Sequence, residues 1–169
     1  MMNFLIFSDS HGDAVSPGQI LQRWQTKPDM IFFLGDGWRD WDALRKNGIS
    51  FYCVRGNCDF CLSPEAPPFR QMLQVEGHRM LLTHGHLFSV KRGTGALLEE
   101  ALRSDADIVL FGHTHIPSLE VIPAGGEVFG HVLRRPLYLF NPGSVGAPAH
   151  SFGTLYLSGD AVLFSHGSL

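Results

Sequence analysis

The sequence predicts an α/β fold in which two packed β-sheets carry helices on their outer faces. Short runs of Ile, Leu, Val and Phe end in Gly and polar residues along the first two thirds of the chain, as buried strands do. Stretches with apolar residues at helical spacing lie between several of these runs, whereas the last third has strand patterns without helices. A length of 169 residues suits one domain, which we assign to residues 1–169.

The boundaries of the elements follow from these patterns. Strands are predicted at residues 3–7, 30–34, 51–54, 80–82, 108–111, 136–140, 154–157 and 161–164. Helices are predicted at residues 18–25, 40–46 and 95–103, and a loop is predicted at the Pro-rich residues 63–68. The alternation of strands and helices implies βαβ units and a largely parallel sheet in the first part of the chain.

The composition excludes several classes of protein. Hydrophobic residues make up 44% and charged residues 17% of the chain, which is a globular rather than a disordered composition. The net charge of −3 gives no reason to expect nucleic-acid binding. No apolar run approaches the roughly 20 residues that span a bilayer, and the apolar residues 1–7 lack the basic segment of a signal peptide. We therefore expect a cytoplasmic protein without a membrane partner.

The three cysteines do not indicate a secreted disulfide framework, because their number is odd. Cys58 and Cys61 form a single C-x-x-C pair, and a structural zinc site needs two further ligands at suitable spacing. We interpret the thiols as incidental, and a regulatory disulfide and a catalytic thiol are left open.

Five of the predicted strands end in side chains that can bind metals. Open α/β sheets bind ligands at the carboxyl ends of their parallel strands, so these side chains are expected at one rim. The D-x-H and H-x-H spacings place two side chains on the same side of an extended segment. The mixture of carboxylate, amide and imidazole groups suits Mn, Fe, Zn or Co better than an all-oxygen Mg or Ca site. The residues expected at this rim are Asp9, His11, Asp36, Asn57, His84, His113 and His115.

The same residues form motifs that resemble those of a known family. The motifs are Asp9-Ser10-His11, Gly35-Asp36, Gly56-Asn57-Cys58-Asp59, Thr83-His84-Gly85-His86 and Gly112-His113-Thr114-His115. They are similar to the signature of the calcineurin-like metallophosphoesterases. With Asn141-Pro142-Gly143-Ser144 they resemble the small prokaryotic phosphodiesterase branch, which shares its fold with a retromer subunit. The resemblance covers residues 3 to about 165 and implies a four-layer α/β/β/α sandwich of two mixed sheets flanked by helices.

The resemblance also implies a dinuclear metal centre bridged by Asp36. Carried over position by position, the ligands of the first ion are Asp9, His11, Asp36 and His115, and those of the second are Asp36, Asn57, His84 and His113. We favour manganese as the ion, with Ni, Co, Zn and Fe as alternatives. Catalytic roles are assigned to Asp36, Asn57, Asp59 and His86. Within this set, His86 is placed beside the ligands and Asp59 is expected to orient a neighbouring group, with a plain surface carboxylate as the alternative for Asp59.

The implied reaction is hydrolysis of a phosphoester by a hydroxide that bridges the two ions and attacks phosphorus in line. Many members of the superfamily have a histidine after the metal-binding Asn, where it protonates the leaving oxygen, but this chain has Cys58. A thiol has a reference pKa of about 8.5 and would leave a soft thiolate beside the metals, so we do not assign Cys58 as the acid. Without that acid, leaving groups that are stable as anions are favoured. This predicts a phosphodiesterase for small, activated or nucleotide-like esters rather than a general monoesterase.

Two other functions are left open at this point. A protein-interaction module of the same fold would not need a complete set of ligands, and this chain keeps all seven. The second alternative is a nucleotide-specific phosphohydrolase or nuclease. A homo-oligomer is compatible with the sequence, which does not locate its interface.

Several residues outside the ligand set have weaker interpretations. Trp38 and Arg39 are candidate substrate contacts because they follow Asp36, whereas Trp41 is expected in the core. Lys91 and Arg92 are expected in a surface loop, with a contact to a bound anion left open. The histidines outside the motifs are expected on the surface or in turns, with a role at the rim left open for His150; they are His78, His131, His150 and His166.

Overall fold

The computed structural model describes residues 1–24, 26–41, 48–60 and 66–169 of the chain. The strands in these ranges are β1 (Met2–Phe7), β2 (Met30–Phe33), β3 (Ser50–Cys53), β4 (Arg70–Val75), β5 (His78–Thr83), β6 (Ile108–Leu110), β7 (Ser118–Ile122), β8 (Glu127–Val128), β9 (His131–Val132), β10 (Leu137–Asn141), β11 (Ser151–Ser158) and β12 (Ala161–Ser168). The helices are α1 (Ser16–Arg23) and α2 (Gly95–Ser104).

The strands form two five-stranded sheets and one short ribbon. The first sheet has the order β12-β11-β1-β2-β3, in which β1, β2 and β3 are parallel and β11 and β12 are antiparallel neighbours. The second has the order β4-β5-β6-β10-β7, in which β5, β6 and β10 are parallel and the two edge strands are antiparallel. The strands predicted in the alternating part of the chain are parallel to one another within each sheet, and the antiparallel neighbours make both sheets mixed, as the resemblance implied. The last two strands, β11 and β12, complete the first sheet instead of forming a sheet of their own.

Each sheet is covered on both faces. Phe4 and Ile6 of β1 pack between the sheets, whereas Leu5 and Phe7 of the same strand pack against Ile20 of α1. The second sheet buries its outer face in the same way against α2. Central strands covered on both faces have no polar side, which is why they are continuous apolar runs in the sequence. The layers are α/β/β/α, so the predicted fold class is confirmed.

The two helices agree with the sequence patterns, with shifted ends. α1 begins at Ser16, two residues before the predicted start, because Pro17 is favourable in the first turn of a helix. α2 covers the predicted helix and one more residue. The predicted helix at residues 40–46, the loop at 63–68 and the Cys58–Cys61 pair lie partly outside the described residues. The division of the chain into one domain over residues 1–169 stays a prediction.

Two edge strands were not predicted. β4 alternates between exposed and half-buried residues, and four of the five residues of β7 are exposed. Each has only one neighbouring strand in the second sheet, so less of its surface is buried and polar residues interrupt the apolar pattern.

Two histidines outside the motifs contact residues from distant parts of the chain. His78 is buried, with Nδ1 2.8 Å from Asp107 Oδ2 and Nε2 3.1 Å from the carbonyl of Gly159. His166 stacks on Phe140 with ring centroids 4.5 Å apart. The surface or turn location predicted for His78 was wrong, because its neighbours in space come from distant segments, whereas His166 is exposed as predicted.

Among the described helices, none is long and apolar enough to cross a bilayer. The cytoplasmic location stays a prediction.

Trp41 is part of the core, as the sequence indicated. Its side chain is fully buried, with its ring centroid 4.7 Å from that of Phe7 and 4.9 Å from that of Phe33. We expect Trp41→Ala to lower the free energy of unfolding by about 3–5 kcal/mol, measured by urea denaturation, because it removes a large buried ring. Phe60→Ala is the control, since its ring is 88% exposed and its removal should change stability by less than about 0.5 kcal/mol. Equal losses in the two variants would contradict this role of Trp41.

Candidate metal centre

The loops after five strands meet at one rim of the sandwich. Asp9 and His11 follow β1, and Asp36 follows β2. His84 follows β5 in the second sheet, and His113 and His115 follow β6. Three groups of possible metal ligands have their ligand atoms within 4.8 Å of one another: Asp9, His11 and His115; Asp36, His84 and His113; and His11, Asp36 and Cys58. Six of the seven ligands expected from the sequence thus lie together, and Asn57 follows β3 in the adjacent loop.

Asp9 is fully buried and has one oxygen without a hydrogen bond. Its Oδ2 accepts from Ser8 Oγ at 2.5 Å and from the backbone N–H of His113 at 3.0 Å. Its Oδ1 has no hydrogen-bond partner, although it lies 3.1 Å from His115 Nε2 and 3.6 Å from His11 Nε2. The hydrogen bonds therefore fix the carboxylate and leave Oδ1 directed at the imidazoles.

His84 is also fully buried and presents one unpaired nitrogen. Its Nδ1 lies 2.7 Å from the carbonyl oxygen of Leu34, which can only accept, so Nδ1 carries the proton in this bond. Nε2 has no hydrogen bond and lies 3.8 Å from Asp9 Oδ1 and 3.2 Å from Asp36 Oδ2. A buried acceptor without a partner costs about 1–3 kcal/mol. Because Nε2 and Asp9 Oδ1 face the same point, a cation bound there would satisfy both, and the residues fit a metal ion.

Charge and burial act in different directions on the titratable groups of the site. Burial opposes ionisation of Asp36, but the neighbouring His84 imidazole and the Cys58 backbone N–H hold the pKa of its carboxyl well below the usual range. Burial lowers the pKa of His84, but the carboxylates of Asp36 and Asp9 outweigh it and raise that pKa. Burial, His84 and Lys91 lower the pKa of His113 to about 4, so this imidazole is neutral at neutral pH, which is the form that binds metals.

Asp59 ties two of these loops together. Its Oδ2 accepts from the backbone N–H groups of Asp36 at 2.7 Å and Gly56 at 2.8 Å. Its Oδ1 accepts from those of Gly37 at 2.7 Å and Trp38 at 3.2 Å. Both oxygens are therefore used by the protein backbone, and Asp59 holds Asp36 in place instead of reaching a substrate.

Two glycines allow the chain to approach the carboxylates closely. A Cβ atom at Gly56 would collide with the Asp36 carboxylate, and a Cβ atom at Gly112 would collide with Ser8 Oγ and lie 2.9 Å from Asp9 Oδ2. Neither position can carry a side chain unless a ligand carboxylate or its hydroxyl donor moves.

Five of the expected ligands have left-handed backbone conformations. Their φ angles lie between 47° and 70°, and the residues are Asp9, His11, Asp36, His113 and His115. Non-glycine residues rarely adopt such angles, which cost of order 1–3 kcal/mol each. Such strain persists only where the surrounding structure imposes it, and it clusters at functional sites.

Three polar residues beside the candidate ligands hold their loops in place. They are Asn141, Ser144 and Ser8. Asn141 Nδ2 donates to the carbonyl of Gly112 at 2.9 Å and to Thr114 Oγ1 at 3.0 Å, which secures the H-x-H loop. Ser144 Oγ donates to the carbonyl of Asp9 at 2.8 Å. Asn141 and Ser144 therefore support the loops that carry the candidate ligands. The hydrogen bond from Ser8 Oγ to Asp9 was not predicted, because a serine at a strand end has no distinctive sequence pattern.

Comparison with known proteins identifies the family. Residues 2–162 match the calcineurin-like phosphoesterase superfamily domain. The chain belongs to the calcineurin-like phosphoesterase superfamily. Family and relatives together identify it as a metal-dependent phosphoesterase.

Two bacterial relatives are similar over most of their length. The chain is 33% identical over 167 residues to the probable metallophosphoesterase YsnB of Bacillus subtilis, with 95% of this chain and 87% of that protein covered. It is 31% identical over 170 residues to the phosphodiesterase YfcE of Escherichia coli K12, with 88% of this chain and 82% of that protein covered.

A solved structure of a different kind of protein shares the fold. Vps29 of Entamoeba histolytica, determined in complex with Zn²⁺, superimposes with a TM-score of 0.72 and covers 98% of each chain. At 22% identity this likeness concerns the fold alone.

In this phosphoesterase, Cys58 stands where many members of the superfamily have a histidine. Its backbone N–H donates to Asp36 Oδ1 at 2.7 Å, and its Sγ accepts from Asn57 Nδ2 at 3.2 Å. Burial, together with the charges of Asp36, Asp59 and Asp9, raises the pKa of the Cys58 thiol. The raised pKa keeps the thiol protonated at neutral pH.

The role of Asp59 can be tested by removing its charge. We expect Asp59→Asn to lower the free energy of unfolding by about 3 kcal/mol, because an amide can accept only on one side and leaves backbone N–H groups unpaired. Metal affinity should fall about 10–100-fold, as for residues that orient ligands. Asp29→Asn is the matched control, since Asp29 accepts from one backbone N–H, that of Asn3, and should lose less than about 1 kcal/mol. Losses of equal size, measured by urea denaturation, would rule out the role given to Asp59.

The backbone strain at His115 predicts opposite effects of glycine at two histidines. His115→Gly should be about 1 kcal/mol more stable than His115→Ala in metal-free protein, because glycine adopts the left-handed conformation without penalty. At His131, which lies in β9, glycine should instead be about 0.5–1 kcal/mol less stable than alanine. Thermal and urea unfolding of the four variants provides the test. The same order of glycine and alanine at both positions would argue against strain at His115.

Proposed function

We propose that the chain is a phosphodiesterase with a dinuclear metal centre. The observation that carries this proposal is the pair of buried, unpaired atoms Asp9 Oδ1 and His84 Nε2, which lie 3.8 Å apart between the two sheets. The first ion would be held by Asp9, His11, Asp36 and His115, and the second by Asp36, Asn57, His84 and His113. His11 Nε2 and His115 Nε2 lie 3.2 Å apart, near enough to bind the same cation.

The residues of the chain prepare this centre for phosphoester hydrolysis. When bound, two ions of this kind supply a hydroxide nucleophile at neutral pH and offset the charge of the phosphoryl group. The Leu34 carbonyl keeps the proton of His84 on Nδ1 and directs Nε2 inward. Asp59 and the Cys58 N–H orient the Asp36 carboxylate between the two sets of imidazoles. Asn57 is a neutral donor, so it adds no negative charge beside the phosphate.

We favour manganese, with Ni, Co, Zn or Fe as alternatives, because the donor set combines carboxylate oxygens with imidazole nitrogens. The Zn²⁺ complex of Vps29, which has the same fold, supports a divalent transition metal.

The proposed substrate is a phosphodiester with a good leaving group. Cys58 occupies the position from which a histidine would protonate the leaving oxygen, and its raised pKa makes it a weak proton donor. The relative named phosphodiesterase YfcE supports a diester over a monoester. A cavity of about 380 Å³, lined in part by His11, Trp38 and Arg39, lies beside the centre and suits a small, nucleotide-like ester.

A protein-interaction module is the second candidate. The likeness to Vps29 across 98% of both chains favours it, since the fold alone does not determine activity. The two functions differ in whether metal restores hydrolysis, which can be measured directly.

The proposed function is tested on purified chain stripped with a chelator and reloaded with Mn, Ni, Co, Zn or Mg singly. We expect a transition metal to restore hydrolysis of bis(p-nitrophenyl) phosphate more than that of p-nitrophenyl phosphate. Asp36→Asn and His84→Ala should each lower kcat/KM by more than about 100-fold, because loss of a ligand exceeds the 10–100-fold effect of an orienting residue.

Cys58→Ser is the control for the two ligand variants and should keep most of the activity on bis(p-nitrophenyl) phosphate. Its inactivity would give the thiol a direct role and remove the argument for diesters. Two bound ions per chain without hydrolysis of either ester would favour the interaction module.

A further inference from the structure

A second cleft adjoins the metal centre and has a different lining. We call it the aromatic cleft and define it by Arg55, Asn57, Phe60, Phe69 and His86; it encloses about 720 Å³. The loop of residues 56–60 separates it from the cavity that contains His11 and Trp38. Its volume lies within the range of about 300–1,000 Å³ that is usual for small-molecule sites.

Contacts among the described residues hold the walls of the aromatic cleft in place. The backbone N–H of Arg55 donates to the carbonyl of Pro68 at 2.8 Å, which joins the loop after β3 to the segment that enters β4. Thr83 Oγ1 donates to the carbonyl of Phe69 at 3.3 Å. The Arg55 guanidinium lies 4.0 Å from the centre of the Phe69 ring, a cation–π arrangement. The cleft is therefore formed before a ligand binds.

His86 links the aromatic cleft to the metal centre. Its ring centroid is 5.4 Å from that of His84 and 6.1 Å from that of His113, and on its other side it meets the Phe69 ring edge-on at 5.7 Å. Asn57 lies between the two regions in the same way, as a proposed ligand that also lines the cleft. The aromatic cleft and the cavity that contains His11 are therefore two spaces open to the ester groups of a phosphate at the centre.

The rings at the cleft are exposed to an unusual degree. Phe60 is 88% and Phe69 is 39% exposed, although burial of a phenylalanine side chain is worth about 1.5–3 kcal/mol. The Phe60 ring and the part of the Phe69 ring that Arg55 does not cover offer flat surfaces, and planar rings stack on such groups. An aliphatic or highly polar ester group would gain little from this lining.

We propose that the aromatic cleft binds a planar aromatic ester group of the substrate, either a nucleobase or an aryl ring, and that Phe60 and Phe69 determine this specificity. The proposal rests on the proposed phosphodiesterase function and adds the class of ester group that the centre accepts.

The test measures binding rather than turnover. Isothermal titration calorimetry on the Mn-loaded chain would compare thymidine 5′-monophosphate, phenyl phosphate and methyl phosphate. We expect at least one of the two aromatic esters to bind about tenfold more tightly than methyl phosphate, since stacking on an aromatic side chain is worth about that factor or more. Phe69→Ala and Phe60→Ala should each reduce the preference severalfold and leave the affinity for methyl phosphate unchanged. Leu163→Ala, which removes an exposed side chain from β12, is the control and should keep the preference.

The outcomes separate the two levels of the proposal. Equal affinity of the wild-type chain for all three esters would contradict the proposed role of the aromatic cleft without contradicting the metal centre. A preference for aromatic esters that survives in both phenylalanine variants would have the same meaning. Tighter binding of the thymidine ester than of phenyl phosphate would identify a nucleobase as the group, and the reverse order would identify an aryl ring. Failure of all three esters to bind in the presence of metal would overturn the proposed function and, with it, this inference.

Discussion

Two buried carboxylates, those of Asp9 and Asp36, are held near each other at one rim, and much of the surrounding structure serves that arrangement. In each, one oxygen accepts hydrogen bonds from the chain and the other faces imidazole nitrogens. Hydrogen bonds to an ionised carboxylate favour its charged form in a place where burial alone would neutralise it. Glycines stand where the backbone must pass within contact distance of these groups, and a third carboxylate, that of Asp59, fixes the loops that carry them. The mixed sheets provide the frame, since they bring the parallel strands of both halves to the same edge.

The rim concentrates features that reduce stability elsewhere in proteins. Left-handed backbone at several ligands, buried acceptors without partners and adjacent like charges each cost free energy. The layers beneath them are apolar and closely packed around both sheets. A rigid core of this kind allows strained loops to keep one conformation, and a conformation fixed in advance lowers the cost of binding an ion or a charged ester.

The sequence predicted the central strands, two helices and the convergence of ligands because those features depend on local patterns. Residues 4–7 and 30–34 are apolar without interruption, and the doublets Asp9/His11 and His113/His115 follow closely after strand ends. The edge strands β4 and β7 were not predictable in the same way, because half of their surface is solvated. The four hydrogen bonds of Asp59 and the pairing of His78 with Asp107 depend on residues brought together only by the tertiary fold. No spacing along the chain indicates such contacts.

The proposed ligands are spread from residue 9 to residue 115 and belong to both sheets. In the unfolded chain they are far apart, so the complete set exists only after the two sheets have docked. An ion that binds only the folded chain stabilises it in proportion to the logarithm of the ion's concentration above its dissociation constant. Metal supply would then govern how long each molecule survives proteolysis, because the unfolded fraction is what proteases remove. Through this linkage the proposed centre would tie the cellular abundance of the protein to the availability of its metal.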